Sequence, residues 1–162
     1  MCKGVTILCV GNYLMGDEGV GVHFARRLEN EMLPKGITVI DGGSGGFKLL
    51  EYMDDDDDLV LIDATLDDRE PGTITMKRPR FASDFPRAMS THEIGLKDLV
   101  ESSILLGKFP TIYLFTVSIE MIQPLSIDLS PDVRACLPEL QDHVLGLANY
   151  LLKQKKRELV SA

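Results

Sequence analysis

Carboxylates recur in this chain wherever a short apolar run stops. Residues 5–10 lead into Gly11-Asn12 and then Gly16-Asp17-Glu18-Gly19. Residues 37–40 lead into Asp41-Gly42-Gly43-Ser44-Gly45-Gly46, and residues 59–62 into Asp63-Ala64. A later run, 111–117, exits into Ser118-Ile119-Glu120. Each acid taken alone has an ordinary structural account. Asp17 can cap a helix, Asp41 can brace a glycine turn, and Asp63 can stabilise a loop. Taken together they are harder to dismiss, because clustered carboxylates repel unless protons or a cation intervene. A cation is the economical partner.

A histidine joins these acids as a candidate ligand. In Ser90-Thr91-His92-Glu93-Ile94-Gly95-Leu96, Ser90 and Glu93 have the spacing of a capping box, which starts a helix there. His92 then falls in the first turn, where the positive end of the helix dipole disfavours imidazolium. It is therefore expected to be neutral, as a metal ligand must be. The competing account is a histidine packed at the surface or in a loop. His23 and His143 fall within longer helical patterns and read as helix-face residues.

Other chemistries fit less well. A dinucleotide fingerprint needs G-x-G-x-x-G between strand and helix. Gly11 to Gly16 lacks that spacing, and Asp17-Glu18 would repel a phosphate. No G-x-x-x-x-G-K-[ST] occurs. The three cysteines, Cys2, Cys9 and Cys136, show no C-x-x-C pair, which argues against a disulfide scaffold or a structural zinc. None lies obviously on the rim, and Cys9, in an apolar run, reads as a buried small hydrophobe. Gly43-Ser44-Gly45 approaches a nucleophile elbow but is incomplete, leaving Ser44 as an outlying candidate.

The elements that must position these residues follow from periodicity. Short β-branched runs at 5–10, 37–40, 59–62, 72–76 and 111–117 read as strands, the fourth as an edge or antiparallel one after Pro71-Gly72. Helical patterns span 17–32, 46–53, 91–106 and 130–155, the last with Ser130 as N-cap and Pro131 at its first position. Residues 78–90 read as a long loop. Alternation of strand and helix implies a mostly parallel sheet covered on both faces, with ligands beyond the carboxyl ends of its strands.

At 162 residues, the chain 1–162 reads as a single domain. The net charge of −8 argues against nucleic acid and anionic membrane surfaces. No segment approaches the roughly 18 apolar residues of a membrane span. With no signal-peptide pattern at the N-terminus, a cytoplasmic location is expected. The five aspartates 54–58 lack EF-hand spacing and read as a solvated loop. The basic stretch 153–157 reads as a solvated helix end.

The segments Gly11-Asn12-Tyr13-Leu14-Met15-Gly16-Asp17-Glu18-Gly19-Val20-Gly21, Asp41-Gly42-Gly43-Ser44-Gly45-Gly46, Leu61-Ile62-Asp63-Ala64 and Ser90 to Leu96 resemble those of the hydrogenase maturation endopeptidases, in order and at comparable spacing. The resemblance implies a single-domain α/β fold: a doubly wound, mostly parallel five-stranded sheet with helices on both faces. It also implies a metal site of Glu18, Asp63 and His92. The family position matching Glu18 is often an aspartate, which leaves the ligand type intact.

The implied activity is removal of a C-terminal extension from the large-subunit precursor of a nickel–iron hydrogenase after nickel insertion. Nickel is expected to arrive with the substrate rather than stay bound, with zinc or another divalent ion able to substitute in vitro. No H-E-x-x-H pair is present to hold a permanent catalytic zinc. The water-activating base is left between Asp41, our own suggestion, and one of the coordinating carboxylates. A non-catalytic metal-binding chaperone or carrier for hydrogenase assembly, using the same three residues, is the alternative.

Overall fold

The computed structural model describes residues 4–53, 58–86 and 96–161. Strands β1 (Val5–Cys9), β2 (Ile37–Asp41), β3 (Asp58–Thr65), β4 (Ile74–Lys77) and β5 (Thr111–Ser118) form one five-stranded sheet in the order β2-β1-β3-β5-β4. All neighbours pair in parallel except β4, which runs antiparallel to β5 at the edge. Helices α1 (Val20–Leu28), α2 (Leu96–Leu105) and α3 (Pro131–Ser161) cover the sheet. From β1 the chain winds outward to β2, then returns across to β3. The carboxyl ends of β1 and β3 thus flank the reversal of winding, where open sheets of this kind leave a crevice.

Strand alternation assigns the two faces. Val5, Ile7 and Cys9 of β1, Val60 and Ile62 of β3, and Phe115 and Val117 of β5 pack in one core with Phe24 of α1 and Leu140 of α3. The opposite residues, Leu8, Leu59, Leu61, Ile112 and Leu114, pack with Leu99 and Val100 of α2 and with Leu49. Burying one such side chain completely stabilises the fold by about 1.5–3 kcal/mol. That alternation is legible in the sequence, and the five expected strands are found.

Several boundaries move. The strand expected at 59–62 continues through Asp63 and Ala64 to Thr65, because each of these has a register partner in β5. The helix expected from Asp17 begins as a 3-10 turn, Gly16–Gly19, and becomes α-helical only at Val20. The short helix expected at 46–53 is a 3-10 segment, Phe47–Tyr52.

The final helix runs past the expected end at 155 to Ser161. Its basic stretch is not wholly solvated: Lys155 reaches back to Asp58 at the start of β3, 3.4 Å away, with both side chains largely buried. Ser130 begins that helix through its carbonyl, which accepts the Arg134 N–H, but its hydroxyl makes no capping bond. The capping box at 90–93, the helix start expected at 91 and Asp54 to Asp57 lie outside the described residues.

The motif after β1 depends on close main-chain approach. A Cβ on Gly11 would sit 2.5 Å from the Glu18 carbonyl oxygen, and one on Gly21 2.1 Å from that of Val10. Only residues without a side chain let the start of α1 lie directly on the end of β1.

Replacing Gly21 by Ala is accordingly expected to destabilise the protein by about 3 kcal/mol or more, read as a lower urea midpoint. Gly146→Ala, whose new methyl would enter open space on α3, should instead raise stability by about 0.5–1 kcal/mol.

Candidate active site

All four residues of the Gly16–Gly19 turn are buried, including two consecutive acids. Asp17 Oδ1 accepts the Ser130 N–H at 2.7 Å, and its Oδ2 accepts from Gln123 Nε2 at 3.0 Å. The Asp17 N–H donates in turn to Gln123 Oε1 at 2.8 Å. Asp17 is therefore not a cap for α1, as its position before the helix suggests. It is an internal post for the 123–130 segment. Glu18, fully buried, belongs to the same turn, and that turn packs against β3.

Asp63 lies on β3, also with no exposed surface, and its Oδ1 accepts the N–H of Ala64 at 2.8 Å. By alternation it follows Leu59 and Leu61 onto the α2 face. Its register partner is Thr116, and Thr65 pairs with Ser118. Asp63, Thr65, Thr116 and Ser118 are each no more than 3% exposed. The α2 face of the two central strands thus changes from apolar to polar at its carboxyl end. Among the described residues the Ser118 hydroxyl has no hydrogen-bond partner. Burying a hydroxyl in that condition costs about 1–3 kcal/mol.

The remaining candidates separate by position. Asp41, the last residue of β2, is solvent-exposed, and its Oδ1 accepts the Gly43 N–H at 2.9 Å. The bracing of a glycine turn is therefore real. Cys9, its register partner on β1, is buried. Burial, with the Asp41 charge adding to it, pushes the Cys9 thiol far above its ordinary range. Burial likewise pushes Cys136 up to about 11, with Glu139 contributing. Neither thiol is a nucleophile at neutral pH.

Ser44 is exposed between Gly43 and Gly45, both at positive φ, and the segment does not form a strand-to-helix elbow. His143 is exposed on α3. His92 lies outside the described residues. Among the described residues alone, no three His, Cys, Asp or Glu side chains form a metal-holding group. Glu18 and Asp63 are the two expected ligands that can be placed, and they stand on contacting elements on either side of the winding reversal.

A separate cavity of about 450 Å³ opens beyond β3 and β5, lined by Leu66, Arg69, Glu70, Ile119, Glu120 and Asp132 among others. Neither Glu18, Asp41 nor Asp63 lines it. Glu120, expected on the rim, is exposed and belongs to this cavity.

Sequence reading missed Thr65, Thr116 and Gln123, and reached Ser118 only as part of a strand exit. For Thr116 and Ser118 a signal exists, since both fall at alternate positions of an otherwise apolar strand. Gln123 had none, because its role depends on a contact across 106 residues of chain.

His23 adds a second tie to the same segment. Its Nε2–H donates to the Ile127 carbonyl at 2.9 Å, and Tyr13 lies beside it, capped by Arg26 with 4.0 Å between guanidinium carbon and ring centre. Partial burial lowers its pKa, opposed by the hydrogen bond and aided by Arg134 and Arg26.

Comparison with known proteins is consistent across sequence and structure. A family model described as hydrogenase maturation protease matches residues 22–147. A hydrogenase 2 maturation protease of Escherichia coli K12 is 33% identical over 146 residues, covering 88% of each chain. The solved structure of the hydrogenase maturating endopeptidase HybD from E. coli superposes with a TM-score of 0.81 at 32% identity, covering 91% of this chain and 93% of that one. The [NiFe] hydrogenase maturation protease HybD from Thermococcus kodakarensis gives 0.73 at 26% identity, covering 90% and 99%.

The depressed pKa of His23 has a stability consequence. The folded protein favours neutral imidazole, while the unfolded chain takes up a proton near its ordinary value of about 6.5. The contribution is present above that pH and lost below it. Unfolding free energy, measured by urea titration, should fall from pH 7 to pH 5, and His23→Gln should make that fall shallower.

Proposed function

The chain belongs to the hydrogenase maturation protease family, whose members are endopeptidases, and from that premise we propose that it removes the C-terminal extension of a nickel–iron hydrogenase large-subunit precursor after nickel insertion. Glu18, Asp63 and His92 receive the nickel that the substrate carries. The observation that supports this most is the pair of fully buried carboxylates, Glu18 and Asp63, on contacting elements at the point where the sheet reverses its winding. Two acids brought to that edge on contacting elements form an oxygen donor pair that a divalent cation can bind.

The donor set suits such a task. Two carboxylates and one imidazole leave coordination positions open, and this mixture of oxygen and nitrogen accepts a borderline divalent ion. In this reading nickel is part of the substrate. A precursor without it offers nothing for Glu18 and Asp63 to bind, so metal insertion becomes the condition for cutting. Once held, the ion fixes where the scissile bond lies relative to the protein, which is the positional share of catalysis. Asp41 is exposed at the same end of the sheet, with one oxygen anchored to Gly43. We assign it the role of taking the proton from the attacking water.

A cytoplasmic location accords with the free thiols of Cys9 and Cys136. Among the described residues no helix is long and apolar enough to cross a membrane.

The test is incubation with precursor large subunit, with and without nickel, followed by mass measurement of the products. Shortening only of the nickel-loaded precursor is expected. Glu18→Gln, Asp63→Asn and His92→Ala should each slow cleavage by about 100-fold or more while near-UV circular dichroism stays unchanged. Asp41→Asn should slow the reaction without weakening precursor binding. Binding without shortening would identify a carrier instead of a protease. Normal processing by the His92 variant would remove that residue from the site.

A further inference from the structure

The turn that carries Glu18 is held from outside itself. The bond that opens it, from the Glu18 N–H to the Met15 carbonyl, is long at 3.3 Å, and the Val20 N–H closes its far end on the Asp17 carbonyl. The shorter bonds come from the 123–130 segment. The Gly16 N–H reaches the Ser126 carbonyl at 2.7 Å, and the Ser126 N–H reaches the Leu14 carbonyl at 3.1 Å. The Gln123 amide grips Asp17 twice, at its N–H and at Oδ2. Gly16, with φ +60, leaves the space that this amide occupies: a Cβ there would lie 2.2 Å from Gln123 Oε1.

This contact is specific in its donors and acceptors. Asp17 presents one N–H and one carboxylate oxygen towards position 123, and an amide supplies one acceptor and one donor to match. A residue that only filled space would not need that pattern.

We propose that Gln123 is a positioning residue for proteolysis. Through Asp17, it fixes the Gly16–Gly19 turn so that Glu18 meets the substrate's metal in register with Asp63. The inference rests on the reading above, in which Glu18 receives that metal. Gln123 acts at one remove from the chemistry, so its loss should tell on the rate through misplacement of Glu18.

The test compares cleavage of nickel-loaded precursor by four proteins besides the wild type. Gln123→Ala removes the grip. Asp17→Asn keeps the size of the side chain but, with its oxygen held by the Ser130 N–H, puts a second donor opposite the amide whichever way Gln123 turns. The double variant Asp17→Asn with Gln123→Glu restores the match, since the carboxylate introduced at position 123 would accept from both the main-chain N–H and the new side-chain amide at position 17. Leu151→Ala, a core truncation in α3 remote from the turn, controls for lost stability.

Each single change at 17 or 123 is expected to lower kcat/KM by about 10- to 100-fold. The double variant should recover to within about threefold of wild type, and Leu151→Ala should match wild type despite a lower Tm. Should Gln123→Ala fold poorly, Asp17→Asn and its rescue still decide the matter. Wild-type cleavage with single variants within twofold of it overturns the proposal alone. So does a double variant no better than Asp17→Asn. Wild-type protein that leaves the precursor uncut overturns the proteolytic reading, and this inference with it.

Discussion

Two stretches of main chain cross at the end of β1 more closely than any side chain permits. Gly11, Gly19 and Gly21 make this possible, each lying where a Cβ would meet the carbonyl or Cα atoms of the other stretch. The cost is conformational, about 0.5–1 kcal/mol for each glycine held in regular structure. What it secures is placement. Because α1 begins directly on the strand, the turn before it is pressed against β3, and Glu18 is carried to the winding reversal instead of out into solvent.

Burial then sorts neighbouring acids. Asp17, Glu18 and Asp63 are each at most 1% exposed in a chain of net charge −8. Carboxylates so deeply placed need compensating donors or cations. Asp17 receives the Ser130 main-chain N–H and the Gln123 amide, so its burial is explained by architecture. Asp63 accepts from Ala64 and stands on a face where Thr65, Thr116 and Ser118 replace the apolar residues found lower in the strands. That polar end is the part of the sheet from which chemistry can be built. The thiols, by contrast, are pushed towards inertness by the same burial.

The acidic segments were legible because their spacing reports topology. A short apolar run followed by glycine and an acid marks the exit of a parallel strand, and exits of parallel strands share one edge. The strand count and the two-faced core follow from periods of two and 3.6, and Pro71-Gly72 marks β4 as the odd strand. The ends of elements were less legible. The third strand extends through Asp63 because β5 supplies hydrogen-bonding partners as far as Ser118, and no property of Asp63 itself announces that. Lys155 looks like one charge of a solvated helix end, yet it is folded back onto Asp58.

By itself the sequence determined which residues could become ligands, which face of each strand would be apolar, and where glycine had to stand. Those properties live in single side chains and local periodicity, which do not change when the chain folds. Tertiary structure alone decided that Asp17, locally a plausible helix cap, is bonded instead to the 123–130 segment. It also decided that Gln123 is the side chain tied to it. Such assignments depend on which distant group arrives within hydrogen-bonding reach, and only the completed docking of the 123–130 segment against the turn sets that distance.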